Sequence, residues 1–384
     1  VLIFGRGSYP RGSGVTAAQF FARQGAELRI TDLKSKEELA PALKRLKGIP
    51  AEYVLGRHRK EDIDWADLVM RNPAVPFGSP YMQYARAKHK AVKTDVTLLM
   101  ESVRNTFIGI TGTRGKSTIS SLVFSMLESA RKKPILGGNI GPSLLGEMQK
   151  IRPTQPIVLE MSSFMTEELT LQSGSPHIAA LTNLYPDHLD IYPSLRRYYD
   201  AKKHLFAFQK ATDYAVLFYD QPEVRGIARR CKARVLWFSL KKLRKLDGVF
   251  VDNASIVVRY HGLEKRLISV AKLTSSSPHH LHNVLCATAI ATALRLPNAA
   301  IVHALTHFKA LPGRMEVVRE HKGVAYVNDT QSTIPQAAAV ALQAYAGKRI
   351  FWIAGGNDKG VSYQPLRPFA KKVHKAWILP GTAR

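Results

Sequence analysis

Acidic residues are scarce in this 384-residue chain: 29 Asp and Glu stand against 56 Lys and Arg, a formal net charge of +27. Such an excess raises the question of a nucleic-acid partner. The basic runs, RHRK at 57–60, ARRCKAR at 228–234, KKLRK at 241–245 and KKVHK at 371–375, are dispersed, and none is interleaved with aromatics as a stacking platform would be. The expectation is a solvated basic face that helps capture anionic ligands, not a nucleic-acid surface. Cysteine is scarcer still. Cys231 and Cys286 lie far apart without ligand-like spacing, which argues against a disulfide scaffold and suits a reducing cytoplasm. No apolar run approaches the roughly 18 residues of a bilayer span. The opening VLIFG reads as a strand rather than a signal peptide, so a cytoplasmic protein without membrane insertion is expected. Internal repeats and low-complexity segments are missing as well.

What is present is an alternation of strands and helices. VLIFG (1–5) and ELRITD (27–32) read as strands around the helix AAQFFARQGA (17–26), and LVMRN (68–72) is a further strand ended by the turn signal NPAVP. The pattern restarts near 100. TFIGI (106–110) is a strand and TGTRGKS a loop. The next helix places Ile119, Leu122, Val123, Met126 and Leu127 at helical spacing. PIVLE (156–160) and IAALTNL (178–184) are strands, HHLHNVLCATAIATAL (279–294) a helix and LPGR (311–314) a hinge. GVAYVND (323–329), a helix from Pro335, RIFWIAGG (349–356), another helix and AWILPG (376–381) follow. The alternation predicts an α/β protein with parallel sheets, divided as 1–100, 101–310 and 311–384.

Residues 109–118, GITGTRGKST, have the order of a phosphate-binding loop: strand, glycines, Lys116, Ser117, amphipathic helix. The common spacing G-x-x-x-x-G-K-[ST] would need a glycine where Ile110 stands, and the glycine is Gly112 instead, so the loop is shorter. Its N–H groups would surround phosphate oxygens, Lys116 would neutralise them and Ser117 would reach Mg²⁺. Glu160 ends the strand in VLEMSSF, where α/β sheets bind ligands, and a carboxylate there suits Mg²⁺. Gly5 and Gly7, followed by Asp32, echo a dinucleotide fingerprint, yet Pro10 interrupts it and Gly12 and Gly14 come late. A nicotinamide cofactor, another diphosphate or a plain tight turn all remain open there. His188, between Asp187 and Asp190, reads alone as a packing or capping residue, and Lys202 as a solvated lysine. His279, His280 and His282 in PHHLHN suggest a metal, but no Cys or Glu stands at ligand spacing.

GITGTRGKST, VLEMSSF, TNLYPDHLD, YYDAKKHLF, LHN, LPGRMEVV, YVNDTQST and AGGNDKG occur in the order found in Mur ligases, and the chain resembles that family over nearly its whole length. The short GTxGKS loop is that family's own. SSF after Glu160 favours the members that add D-glutamate to UDP-N-acetylmuramoyl-L-alanine; a folylpolyglutamate-type acceptor is the alternative. The resemblance implies three domains: a Rossmann-like N-terminal domain for the uridine diphosphate, a central P-loop ATPase domain and a Rossmann-like C-terminal domain for the amino acid. It implies that ATP phosphorylates the alanine carboxylate and that the glutamate amine displaces the phosphate, in peptidoglycan precursor synthesis by a monomer. It assigns ATP to Gly112, Thr113, Gly115, Lys116, Ser117, Thr118, Asn283, Arg314 and Asp329. Two Mg²⁺ ions fall to Ser117, Glu160, His188 and a carbamylated Lys202, and catalysis to Lys116, Glu160, His188 and Lys202. Gly7, Asp32, Asn72, Asn139, Ser162, Thr333 and Lys359 would meet the other substrates. Four positions depart from the family pattern: Arg114 for Asn, Met165 for a polar residue, Cys286 for the second Asn of H-N-x-x-N, and Gln331 for a frequent Lys. With only three strands read after Leu311, the third domain is expected to be incomplete.

Overall fold

The computed structural model describes residues 1–5, 12–273, 278–309, 311–358 and 360–382. The first sheet contains β1 (Leu2–Phe4), β2 (Arg29–Asp32), β3 (Glu52–Leu55), β4 (Leu68–Arg71) and β5 (Ala91–Lys93), in the order β3-β2-β1-β4-β5. Every pairing in it is parallel. The chain order reverses between β1 and β4, which opens a crevice beyond their C-terminal ends. Gly5 lies there with φ +72°, and Asn72 follows β4, its N–H bonded to Phe4 O.

The second sheet contains β6 (Phe107–Thr111), β7 (Ile135–Gly138), β8 (Ile157–Glu160), β9 (Ile178–Leu181), β10 (Tyr214–Phe218), β11 (Arg234–Ser239), β12 (Gly248–Asp252), β13 (Ser255–Tyr260) and β14 (Leu263–Ser269). Their order is β14-β13-β12-β11-β10-β9-β6-β8-β7. From β7 to β12 neighbours run parallel, and β6, β8, β9 and β10 are buried along their whole length. Strands covered on both faces read as continuous apolar runs, which is why TFIGI and PIVLE were legible. The Lys116–Ser129 helix packs against the Pro278–Ala293 and Asn298–His307 helices. The side chains of Ile119, Leu122, Val123, Met126 and Leu127 are buried, as their spacing predicts.

The strict alternation of strand and helix does not hold. β12, β13 and β14 form an antiparallel meander. Asn253-Ala254 and His261-Gly262 make its two turns with all four residues at positive φ, from +46° to +77°. Two-residue turns of this kind join only antiparallel neighbours. The same device recurs at Lys322-Gly323, which pairs β15 (Glu316–His321) with β16 (Val324–Asn328) as an antiparallel hairpin. GVAYVND is therefore half of a hairpin, and among the described residues four strands, not three, follow Leu311. β17 (Ile350–Ala354) and β18 (Val373–Ile378) pair in parallel. The helix expected between them is a 3-10 segment, Gln364–Phe369, because Pro368 inside it removes a donor a longer helix needs.

Arg71 joins the first sheet to the segment that follows β8. Its guanidinium is buried, donates to Val75 O and Phe164 O, and pairs with Glu168 at 2.7 Å. Arg86 meets the same carboxylate at 2.7 Å. Both cysteines are free, with Cys286 buried. Among the described residues no helix is long and apolar enough to cross a membrane.

Candidate active site

The loop after β6 is held by its neighbour strand. Beyond β9, Asn183 accepts from Arg114 N–H at 2.8 Å through Oδ1, and its carbonyl accepts from Thr113 N–H at 3.0 Å. Thr182 Oγ1 donates to Arg114 O at 2.6 Å. Gly112, at φ +141°, lies so close to Thr182 that an added Cβ would fall 1.9 Å from Oγ1. Gly115, at φ +85°, is the N-cap of the Lys116–Ser129 helix, and a Cβ there would lie 2.4 Å from Asn283 Oδ1. Both positions therefore require glycine for conformation and for space. Thr182 and Asn183 were missed in the sequence. Their only signal was polarity at the end of an apolar strand.

Two lysines converge on this loop. Lys116 Nζ donates to Gly112 O at 3.1 Å and Thr113 O at 3.2 Å. Lys202 Nζ donates to the same Gly112 O at 3.0 Å and lies over the Tyr198 ring. Lys202 is not solvated: it is 2% exposed. Ser194 caps its helix, Leu195–Lys203, by accepting from Arg197 N–H. Burial, then the charge of Lys116, holds the Lys202 ammonium well below the ordinary lysine value. Burial likewise lowers Lys116, against the pull of Glu160.

Glu160 is 2% exposed. Its Oε1 accepts from Asn139 Nδ2 at 2.9 Å, while Oε2 is buried with no hydrogen-bond partner among the described residues. The Ser162 hydroxyl is likewise buried and unpartnered. His188 has φ +56°, unusual for a residue with a side chain, and its N–H donates to Asp187 Oδ1. Its ring packs edge-on against Phe164 and Tyr198 at 5.5 and 5.9 Å, so the packing reading of this residue holds alongside any other.

Comparison with known proteins follows the same lines. The Mur ligase middle domain family matches residues 110–291. The UDP-N-acetylmuramoylalanine--D-glutamate ligase of Geobacter metallireducens is 37% identical over 373 residues, covering 97% of this chain and 81% of that protein. The enzyme of the same name from Roseiflexus sp. is 35% identical over 390 residues, covering 100% and 83%.

The chain belongs to the Mur ligase family.

It is accordingly an ATP-dependent amide ligase. Solved Mur ligases share its fold. MurF from Acinetobacter baumannii matches with TM-score 0.60 at 16% identity, over 93% of this chain and 79% of that one. MurF from Thermotoga maritima, solved with ADP, matches with TM-score 0.57 at 17% identity, over 92% and 81%.

In this ligase the segment after Leu311 reaches the phosphate loop. Arg314 Nη2 donates to Ser117 Oγ at 2.8 Å. Arg114 Nη1 reaches Gln331 O at 3.4 Å and Thr333 Oγ1 at 3.2 Å. Asp329 accepts from Met315 N–H and Ser332 Oγ and lies in electrostatic range of Arg314. Thr118 occupies the first turn of the loop's helix. Asp32 and Asn72 are placed apart, at the crevice of the first sheet. Asp32 accepts from Lys34 N–H and Asn72 from Ala74 N–H. Gly7 and Lys359 lie outside the described residues, as does the side chain of His279.

Of the histidine cluster, His282 bonds Thr182 O at 3.1 Å and packs on Phe218 and Phe238. Among the described residues no three His, Cys, Asp or Glu side chains gather as a metal cage. The donors near the loop nonetheless suit a hard divalent ion. Glu160 Oε2 is a buried carboxylate oxygen with no partner, a group that is costly to leave unmet and is the ligand type Mg²⁺ selects.

Proposed function

We propose that this ligase adds D-glutamate to UDP-N-acetylmuramoyl-L-alanine in the cytoplasm, as a monomer and without a nucleic-acid partner, in peptidoglycan precursor synthesis. The observation that carries the reading is the cluster formed by Lys116, Lys202 and Glu160 around the short loop. The names of the similar ligases from Geobacter metallireducens and Roseiflexus sp. support the substrate pair. Residues 1–100 would bind the uridine diphosphate through Asp32 and Asn72 at the crevice, with Gly7 as a further contact. Residues 101–310 would bind ATP, and 311–384 would bring Thr333 and Lys359 to the amino acid.

The alanine carboxylate attacks the terminal phosphorus of ATP. A C–O–P link forms, and ADP leaves with the electrons of the broken P–O bond. The glutamate amine then adds to the acyl carbon, loses a proton and expels inorganic phosphate, leaving an amide. Gly112 and Thr113 shape the loop, the N–H groups from Gly115 to Thr118 would hold the phosphates with Asn283, Arg314 and Asp329 beside them, and Lys116 offsets the charge that gathers there. Asn139 orients Glu160 and, with Ser162, faces the muramoyl substrate. Two Mg²⁺ ions would be held by Ser117, Glu160, His188 and Lys202, and when bound they neutralise the phosphate oxygens.

Two ammonium groups on one carbonyl oxygen repel each other. The neutral Lys202 amine favoured by that arrangement can add to CO₂, forming an N–C bond and releasing a proton. The resulting carbamate supplies the oxygen ligands that a lysine lacks. In Lys202→Ala, added short carboxylates should restore part of the lost activity, and no restoration would sink the carbamate.

The whole reading is tested by phosphate release with UDP-N-acetylmuramoyl-L-alanine, with and without D-glutamate. Release that depends on both supports it. Release that follows a folate-type acceptor instead would replace it.

A further inference from the structure

The guanidinium of Arg114 is the one strongly basic group of the loop that no role above employs. Its position is set by the backbone: its N–H and carbonyl are clamped by Asn183 and Thr182. Its Nη1 is tethered to the segment after Leu311, through Gln331 O and Thr333 Oγ1. Its Nε and Nη2 are buried and have no hydrogen-bond partner among the described residues. Those two nitrogens form one edge of the guanidinium, two parallel donors whose spacing matches two oxygens of a single phosphoryl or carboxylate group. Buried charged donors left unmet are costly, so this edge is built for an anion that arrives with a substrate.

Lys116 and Arg314 stand in electrostatic range of Arg114, as do the carboxylates of Asp187 and Asp329. Asp329 is already engaged by Met315 N–H and Ser332 Oγ. Arg114 lies between Thr113 and Gly115, at the head of the helix whose N-terminus faces the phosphates. A terminal phosphoryl group held by Lys116 and the loop is the incoming anion that this open edge would suit.

We propose that Arg114 binds the transferring phosphoryl group of ATP in bidentate fashion through Nε and Nη2, and that its Nη1 tether ties this grip to the segment carrying Gln331 and Thr333. The assignment rests on the reading of the loop as an ATP site and deepens it. Nη1 can hold both partners only when that segment lies against the loop, as it does here, so the grip depends on that contact.

Calorimetric titration of the chain with Mg²⁺ and either ADP or the non-hydrolysable triphosphate AMP-PNP tests it. In Arg114→Ala, ADP affinity should stay within about twofold of the parent while AMP-PNP weakens by about tenfold or more. Arg114→Lys should restore little, because an ammonium is a single point of charge, and it carries the same comparison should the alanine variant not fold. Equal loss of both nucleotides would mean a structural role in the loop and overturn the assignment. Unchanged AMP-PNP affinity with a raised KM for the amino acid would move the contact to a carboxylate and overturn it too. A parent chain that binds neither nucleotide would sink the ATP reading itself, and this assignment with it.

Discussion

PIVLE at 156–160 and RIFWIAGG at 349–356 are the same kind of sequence, short apolar runs that read as interior parallel strands. In the structure they differ. Ile157, Val158 and Leu159 are 0% exposed, whereas Phe351 is 51% and Ile353 67% exposed. The first run has β6 and β7 on either side and the Lys116–Ser129 helix across its face. Among the described residues the second pairs only with β18, whose Trp377 and Ile378 are also exposed. An apolar run thus reports the capacity to be buried, and the surrounding layers decide whether it is.

The sharpest way to break the comparison is to truncate one residue in each run. Leu159→Ala should cost about 2–5 kcal/mol of unfolding free energy, the range for a closed core. Denaturant unfolding that shows a loss no larger than for Ile353→Ala would remove the distinction. A second test separates burial for packing from burial for chemistry within the central region. Lys116→Ala should lower phosphate release by about 10²–10³-fold with an unchanged melting temperature. Near-normal turnover would end its assignment.

Lys202 gives a third and smaller effect. Its ammonium is held below the ordinary lysine value of 10.5 by burial and by Lys116. The unfolded chain keeps this proton to higher pH than the folded chain does. Between the two values unfolding takes up a proton, so stability rises with pH through that window; the penalty of the buried charge is complete below it. Lys202→Met should raise the unfolding free energy near neutral pH by about 1–4 kcal/mol, flatten that slope and abolish activity. A less stable variant would show that the lysine is held by favourable contacts rather than tolerated for function. The smallest effect belongs to the outer run. Ile353→Lys should change unfolding by less than about 0.5 kcal/mol while reducing self-association in light scattering, because a charge interrupts an exposed apolar edge.

The loop and the central helix were legible because their signals are local. Gly112 and Gly115 are needed for positive φ and for close approach, and the burial of Ile119, Leu122 and Val123 follows from helical period alone. The ordered motifs carried the family as well. The antiparallel meander and the β15–β16 hairpin were not read, although Asn253-Ala254, His261-Gly262 and Lys322-Gly323 mark their turns locally. Regular alternation elsewhere masked those turn signals. Other features had no local signal at all. Lys202 and Lys203 are neighbours of the same type, and only the packing of Tyr198 and the loop decides that Lys202 is buried and Lys203 is not. Arg71 looked like a strand residue, yet it locks onto Phe164 O and Glu168, 93 and 97 positions away. The sequence by itself determined the phosphate loop, the helical face behind it and the parallel core strands, since each depends on backbone geometry and period within a few residues. The tertiary structure alone decided which lysine lost its water, which carboxylate oxygen stayed unmet and which apolar runs were covered. Desolvation is a property of everything packed around a group, and no short stretch of chain contains it.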